Sequence, residues 1–283
     1  MAARKPLISS LRIHGRRLRA AQWNFGGDNG DDDSGGGSGS LPLLVFNGIG
    51  MNLELLDPLA RAMAPRRVLC FDMPGIGKSP DPLVPYNAVS MALTSAAILD
   101  RLEIARVDVL GISWGGGIAQ QFALQHRVRI GRLVLAATSA GMLMAPGSMP
   151  ALARLADPAE WTMGKALQRN LAMLYNGGGT GDPVSLNAAT PPSPSGFLYQ
   201  LAALAGWSSV PLLPLLDVPT LVLAGDEDQV VPPVNSQFLH ALIPGSKLRL
   251  IPGGGHLFPF SHRSDFLSEL DGFLGSGQPA ETV

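Results

Sequence analysis

Gly111-Ile112-Ser113-Trp114-Gly115 is the stretch of this chain whose residue types and spacing point most directly to chemistry. It follows the buried-strand pattern Val107-Asp108-Val109-Leu110 and precedes a helical pattern over Gly116–Gln125. A serine between two glycines on a strand-to-helix turn is a nucleophile elbow: the glycines let the chain reverse sharply and the hydroxyl is pushed out over the sheet edge. The three glycines Gly115, Gly116 and Gly117 each weaken a helix by up to ~1 kcal/mol relative to alanine, so close backbone approach is the better reason for them. Ser113 is the expected nucleophile, and Trp114, Ile118 and Phe122 supply the helix's core face.

A serine hydroxyl is a weak nucleophile at neutral pH and needs a base with a group to orient it. Of five histidines, His14 falls in a turn, His126 follows a helix and His240 lies within one, which reads as structural. His262, at a helix start, is the weaker rival to His256, which sits in Gly253-Gly254-Gly255-His256 just past a strand. The acid belongs between serine and histidine in chain order, on a loop at the same sheet edge. Gly225-Asp226-Glu227-Asp228 fits, and Asp228 is preferred over Asp226 and Glu227 because it lies furthest round the turn. The backbone N–H groups of Trp114 and of Ile49, in Asn47-Gly48-Ile49-Gly50, are the expected donors to an oxyanion.

These groups need a scaffold. Apolar runs at Leu43–Phe46, Val68–Phe71, Leu133–Ala137, Thr220–Ala224 and Leu248–Ile251 read as strands. They alternate with helical patterns at Ser90–Leu102, with Leu93, Ala96 and Ala97 inward, and at Val234–Leu242. Ser261 is expected to cap a last helix carrying Phe266, Leu270 and Phe273 on one face. Strand and helix in alternation predict an α/β fold with a mostly parallel central sheet flanked by helices. Leu11 and Ile13, a turn at His14-Gly15, and Leu18 and Ala20 predict an N-terminal hairpin.

The alternation stops between Gly141 and Pro219, where Met142, Met144, Met149, Trp161, Met163, Met173, Tyr175, Phe197, Tyr199 and Trp207 cluster. A mainly helical cap inserted over 141–218 is expected, between core parts 1–140 and 219–275, with 276–283 as a tail. Residues 26–40, nearly all Gly, Ser and Asp, read as a flexible loop without the ligand spacing of a calcium site.

The 283 residues carry a net charge of -1 with only 15% charged side chains, which gives no footprint for nucleic acid. The single cysteine, Cys70, excludes an internal disulfide and reads as a core residue. The basic N-terminus lacks the apolar core of a secretory signal, and no run is long enough to span a membrane, so a cytoplasmic protein is expected. Gly77-Lys78-Ser79 imitates the end of a phosphate-binding loop, but Asp72 stands where the first glycine is needed.

With these residues placed, the chain from about Leu7 to Leu274 resembles the α/β-hydrolase superfamily, and within it intracellular depolymerases of medium-chain-length poly(3-hydroxyalkanoates). The likeness rests on Phe46-Asn47-Gly48-Ile49-Gly50-Met51-Asn52-Leu53-Glu54, Gly111-Ile112-Ser113-Trp114-Gly115-Gly116, and Leu133-Val134-Leu135-Ala136-Ala137-Thr138. It extends to Gly206-Trp207-Ser208-Ser209 and Pro219-Thr220-Leu221-Val222-Leu223-Ala224-Gly225-Asp226. Asn47 replaces the histidine common in the wider superfamily, and with Met142 and Trp207 is expected to meet the substrate. The resemblance implies a Ser113, His256 and Asp228 triad that hydrolyses a hydrophobic polyester, needs no metal or organic cofactor, and docks on a storage granule. A small-molecule carboxylesterase or thioesterase, a cofactor-free perhydrolase and a non-catalytic receptor are the alternatives on the same scaffold.

Overall fold

The computed structural model describes residues 5–25, 40–157 and 190–275. Loop residues 26–39, the Trp161, Met163, Met173 and Tyr175 part of the expected cap, and the 276–283 tail lie outside the described residues.

Eight strands form one sheet in the order β1-β2-β4-β3-β5-β6-β7-β8. They are β1 (Leu7–Ile13), β2 (Arg16–Trp23), β3 (Leu43–Phe46), β4 (Val68–Phe71), β5 (Val107–Ile112), β6 (Ile130–Ala136), β7 (Thr220–Gly225) and β8 (Lys247–Ile251). The hairpin β1–β2 pairs antiparallel with β4, and every later pairing is parallel. Strands β3 to β7 are buried apart from the half-buried Arg132 of β6, which is why they read as largely continuous apolar runs rather than alternating ones.

Helices α1 (Leu53–Ala62), α2 (Ala88–Arg101), α3 (Trp114–Gln125), α4 (Met149–Ala156), α5 (Pro194–Ala203), α6 (Val234–Leu242), α7 (Phe258–Ser261) and α8 (Arg263–Leu274) connect or cover the strands. Three local expectations are corrected. Helix α3 starts two residues earlier than its periodicity suggested, because Ser113 itself is the N-cap. In α2, Ala96 is buried as expected but Leu93 is 49% exposed, and the buried stripe runs with Ala96 through Met91, Ala92, Ser95, Ile98 and Leu99. Asn87 fixes that phase with a capping box, its side chain accepting from Ser90 N–H at 2.9 Å. Ser261 does not cap the last helix; it ends the short α7, and His262 precedes α8.

Asp72, directly after β4, explains the imitation phosphate loop. Its buried carboxylate accepts from the Arg19 guanidinium at 3.1 Å and from the backbone N–H of Leu53 at 2.9 Å and Lys78 at 3.0 Å. The Gly77–Ser79 turn therefore wraps a fixed anion of the protein's own. Cys70 is buried in β4, where burial pushes its thiol well above the usual range, as befits an inert core residue. Among the described residues, no helix is long and apolar enough to cross a membrane.

At the opposite edge of the sheet, Asp108 of β5 is buried and accepts from Arg66 at 3.0 Å. The same guanidinium reaches the Leu41 carbonyl at 2.8 Å and the Leu274 carbonyl at 3.2 Å, tying the C-terminal helix to the strands. Burial pushes the Asp108 carboxyl up to about 6 despite Arg66. The folded chain thus holds a proton that the unfolded chain has released, so this group favours folding at low pH and loses that contribution as pH rises through about 6. Asp108→Asn is neutral at every pH. Its stability relative to wild type is expected to improve by on the order of 1 kcal/mol or more between about pH 4.5 and about pH 7. Urea unfolding at both values checks this; a constant difference contradicts it.

Candidate active site

The parallel strands deliver three loops to one edge. Strand β5 leads directly into Ser113, β7 leads into the loop carrying Asp228, and β8 leads into the glycine loop carrying His256. Strand β3, which pairs with β5 so that Phe46 lies opposite Gly111, brings Asn47–Gly50 to the same edge.

Ser113 has φ 53° and ψ -122°, a conformation that non-glycine residues rarely adopt. The surrounding glycines make it attainable. A Cβ on Gly115 would lie 2.1 Å from the Phe46 carbonyl oxygen, and one on Gly111 would lie 2.6 Å from Gly116 Cα. Thr138 Oγ1 donates to the Ser113 carbonyl at 2.8 Å and braces the turn from the end of β6.

The Ser113 Oγ lies 2.8 Å from His256 Nε2, and His256 Nδ1 lies 2.8 Å from Asp228 Oδ2. One tautomer satisfies both contacts: Nδ1–H donates to the carboxylate while Nε2 accepts from the hydroxyl. Asp228 and His256 are almost fully buried. The other Asp228 oxygen accepts from Val230 N–H at 2.8 Å and Val231 N–H at 2.9 Å, so the carboxylate is satisfied and cannot swing away.

The rival groups are placed elsewhere. Asp226 accepts from Gly253 N–H at 2.7 Å, closing the base of the histidine loop, and Glu227 is exposed. His14 occupies the hairpin turn and His126 stacks on Phe122 with centroids 5.1 Å apart. His240 meets Ser246 at 2.9 Å and His262 meets Ser261 at 3.0 Å. Only His256 reaches Ser113.

In the Asn47–Gly50 turn, Gly48 N–H donates to Asn47 Oδ1 at 3.2 Å and Gly50 N–H to Gln200 Oε1 at 2.8 Å. Among the described residues, the Ile49 N–H between them has no such partner, and the Trp114 N–H lies in the first turn of α3, where helical donors are left over. Asn47 is not in the pocket wall. Its amide donates to the Asn52 carbonyl at 3.3 Å, so it shapes the loop rather than facing a ligand.

A cavity of about 300 Å³ opens on Ser113. Ile49, Trp114, Met144, Leu152, Leu204, Trp207 and Val231 give it an apolar wall, with the 63%-exposed Met142 also contributing. The roof comes from segments between β6 and β7 and is stitched to the sheet edge. Trp207 Nε1 donates to Gln121 Oε1 at 2.7 Å, Ser209 Oγ to Gln120 Oε1 at 2.7 Å, and Asn235 Nδ2 to the Ala145 carbonyl at 2.9 Å. Sequence reading missed Gln120 and Gln121, although two adjacent glutamines in an otherwise apolar helix were a usable signal. Among the described residues, no group of three or more His, Cys, Asp and Glu side chains is placed to hold a metal ion.

A fold of this topology with a serine at the turn after β5 defines a class. Residues 42–263 match the alpha/beta hydrolase fold family, and the chain belongs to that family. It is 41% identical over 222 residues to a poly(3-hydroxyalkanoate) depolymerase of Ectopseudomonas oleovorans, covering 77% of this chain and 78% of that one. It is 30% identical over 267 residues to a 2-hydroxymuconate semialdehyde hydrolase of Pseudomonas sp. (strain CF600), covering 88% and 90%. Among solved structures, a hydrolase from Pseudomonas aeruginosa PA01 is similar with a TM-score of 0.76 and 27% identity, covering 95% of this chain and 98% of that one. The chain is thus a hydrolase of the α/β type that resembles a polyester depolymerase.

Proposed function

We propose that this protein is a serine hydrolase that cleaves ester bonds of a poly(3-hydroxyalkanoate) through an acyl-enzyme on Ser113. The observation that carries the proposal is the hydrogen-bonded series Ser113, His256 and Asp228 opening into an apolar cavity. The substrate class is supported by the 41% identity to the depolymerase.

In the proposed reaction the Ser113 oxygen attacks the ester carbonyl while His256 Nε2 takes its proton. The Ile49 and Trp114 N–H groups receive the developing negative oxygen. Collapse expels the hydroxyl end of the remaining polymer, which leaves with the proton from His256, and the acyl group stays on Ser113. Water then attacks that ester, giving its proton to His256, and the acid leaves as Ser113 regains its hydrogen. Asp228 holds the imidazole tautomer and supports its charged form. No step calls for a metal or organic cofactor.

The roof suits a water-insoluble substrate. Met142, Leu143 and Met149, at 63%, 61% and 74% exposure, belong to the segment that also supplies Met144 and Leu152 to the cavity. In this reading residues 141–218 act as an inserted cap whose exposed apolar side chains rest on the polymer surface of a storage granule.

Release of hydroxyacids from emulsified polyester, set against cleavage of soluble nitrophenyl esters and thioesters, tests the proposal. Polymer hydrolysis is expected; activity confined to soluble esters or thioesters favours the small-molecule hydrolase, and peroxide-dependent halogenation exceeding hydrolysis favours a perhydrolase. Chain-length preference gives a finer check. A Cβ on Gly117 would lie 3.0 Å from Leu204 Cδ1 and 3.3 Å from the Trp207 ring, inside the cavity wall. Gly117→Ala is expected to lower kcat/KM for an octanoyl ester relative to an acetyl ester by about 3- to 10-fold, while helix propensity offsets the crowding. An unchanged ratio removes Gly117 from the acyl site.

A further inference from the structure

Gln200 lies on α5, is 1% exposed, and makes two contacts that no part of the reaction described above requires of it. Its side-chain Oε1 accepts from Gly50 N–H at 2.8 Å, and its backbone carbonyl accepts from the Trp114 indole Nε1–H at 2.8 Å. One residue of the roof therefore grips both elements that offer donors to an oxyanion: the loop holding Ile49 and the side chain of Trp114.

The grip on the loop is directional. Gly50 has φ 67°, the turn closes by Met51 N–H donating to the Gly48 carbonyl at 3.2 Å, and Gly48 N–H is taken by Asn47. With both flanking N–H groups committed, the orientation of the Ile49 peptide is fixed by its neighbours, and among the described residues Gln200 is the hydrogen-bonding tie that comes from outside the loop's own sequence. Helix α5 is itself anchored. Ser193 N–H donates to the Gly75 carbonyl at 3.0 Å, Ser195 Oγ donates to Asp81 at 2.8 Å, and a Cβ on Gly75 would fall 2.4 Å from Gly196 Cα. A helix so seated can transmit a fixed position to the loop.

We propose that Gln200 is a positioning residue for the oxyanion hole, setting the direction of the Ile49 N–H and making the roof part of the catalytic apparatus. The proposal rests on the ester-hydrolase reading. Removing an oxyanion donor costs ~10²- to 10³-fold in turnover, so misaiming one is expected to cost about 10- to 100-fold.

Gln200→Met keeps the length and burial of the side chain and removes its amide, and with it the acceptor for Gly50. Gln200→Asn keeps an amide but falls one methylene short, and serves if Gln200→Met does not fold. Both are expected to lower kcat for a nitrophenyl ester by about 10- to 100-fold with KM changed less than about 3-fold. Affinity for an alkyl trifluoromethyl ketone, which becomes an oxyanion when the serine adds to it, should fall by a similar factor. Affinity for the alcohol of equal chain length should not change. Wild-type kcat in folded Gln200→Met or Gln200→Asn overturns the proposal. So does a kcat loss with unchanged fluoroketone affinity. A wild-type protein that neither cleaves nitrophenyl esters nor binds the fluoroketone overturns the ester-hydrolase reading, and the positioning role with it.

Discussion

Ser113→Ala is expected to lower kcat for ester hydrolysis by about 10⁵- to 10⁶-fold, leaving only what the oxyanion donors and substrate binding provide. The loss should fall on kcat, because Ser113 contributes one small polar group to a cavity whose wall is mostly apolar. KM for a nitrophenyl ester should stay within a few-fold of wild type. The fold should survive, since the alanine loses a hydroxyl whose partner among the described residues is the His256 ring. It still occupies a position with φ 53°, so the strain of the turn is common to both proteins. Steady-state kinetics with thermal unfolding of the same samples checks this. Residual activity above about a hundredth of wild type would move the nucleophile to another residue.

The second large effect separates two aspartates that lie two positions apart. Asp228→Asn preserves the shape of a buried group that touches His256 Nδ1 and two backbone donors, but it favours the wrong imidazole tautomer. A fall in kcat of about 10³- to 10⁴-fold is expected. Asp226 is exposed and the single described contact of its side chain is with Gly253 N–H, at the base of the loop that carries the histidine. Asp226→Ala should therefore loosen that loop without altering the imidazole's electronics, lowering kcat by about 10-fold or less. Equal effects of the two substitutions, or a larger effect at Asp226, would reverse the assignment of the acid.

The scaffold was legible because its inner strands are buried on both faces. Leu43–Phe46, Val68–Phe71 and Leu133–Ala136 are apolar without interruption, and that composition survives translation into structure. The Ser113 turn was legible because its glycines answer a steric demand: Gly115 has no room for a Cβ beside Phe46. Helix phase was less legible where small residues do the packing. In α2, Ala92 and Ser95 are buried beside the expected Ala96 while Leu93, the more apolar residue, faces outward, so apolarity alone misplaced Leu93. The expected cap at Ser261 failed because Phe258-Pro259 opens a separate short helix, which Ser261 ends.

Contacts between the roof and the sheet edge were the least legible. Gln200 and Gly50 are 150 positions apart, and nothing local to either announces the other. A lone glutamine within the apolar run Phe197-Leu198-Tyr199-Gln200-Leu201 was the available sign, since a buried amide must find partners. Asn47 shows the converse: a polar residue at the sheet edge was read as facing a ligand, and its hydrogen bonds instead close its own loop.

The central claim is that the hydroxyl of Ser113 is acylated by the ester substrate. Rapid acid quenching of the protein during turnover of a slowly deacylating 3-hydroxyacyl ester, followed by peptide mass analysis, measures this directly. The acyl mass is predicted on the peptide that contains Ser113, and it should be absent from Ser113→Ala. An acyl group trapped on a different residue, or hydrolysis proceeding while Ser113 stays unmodified, would contradict the account.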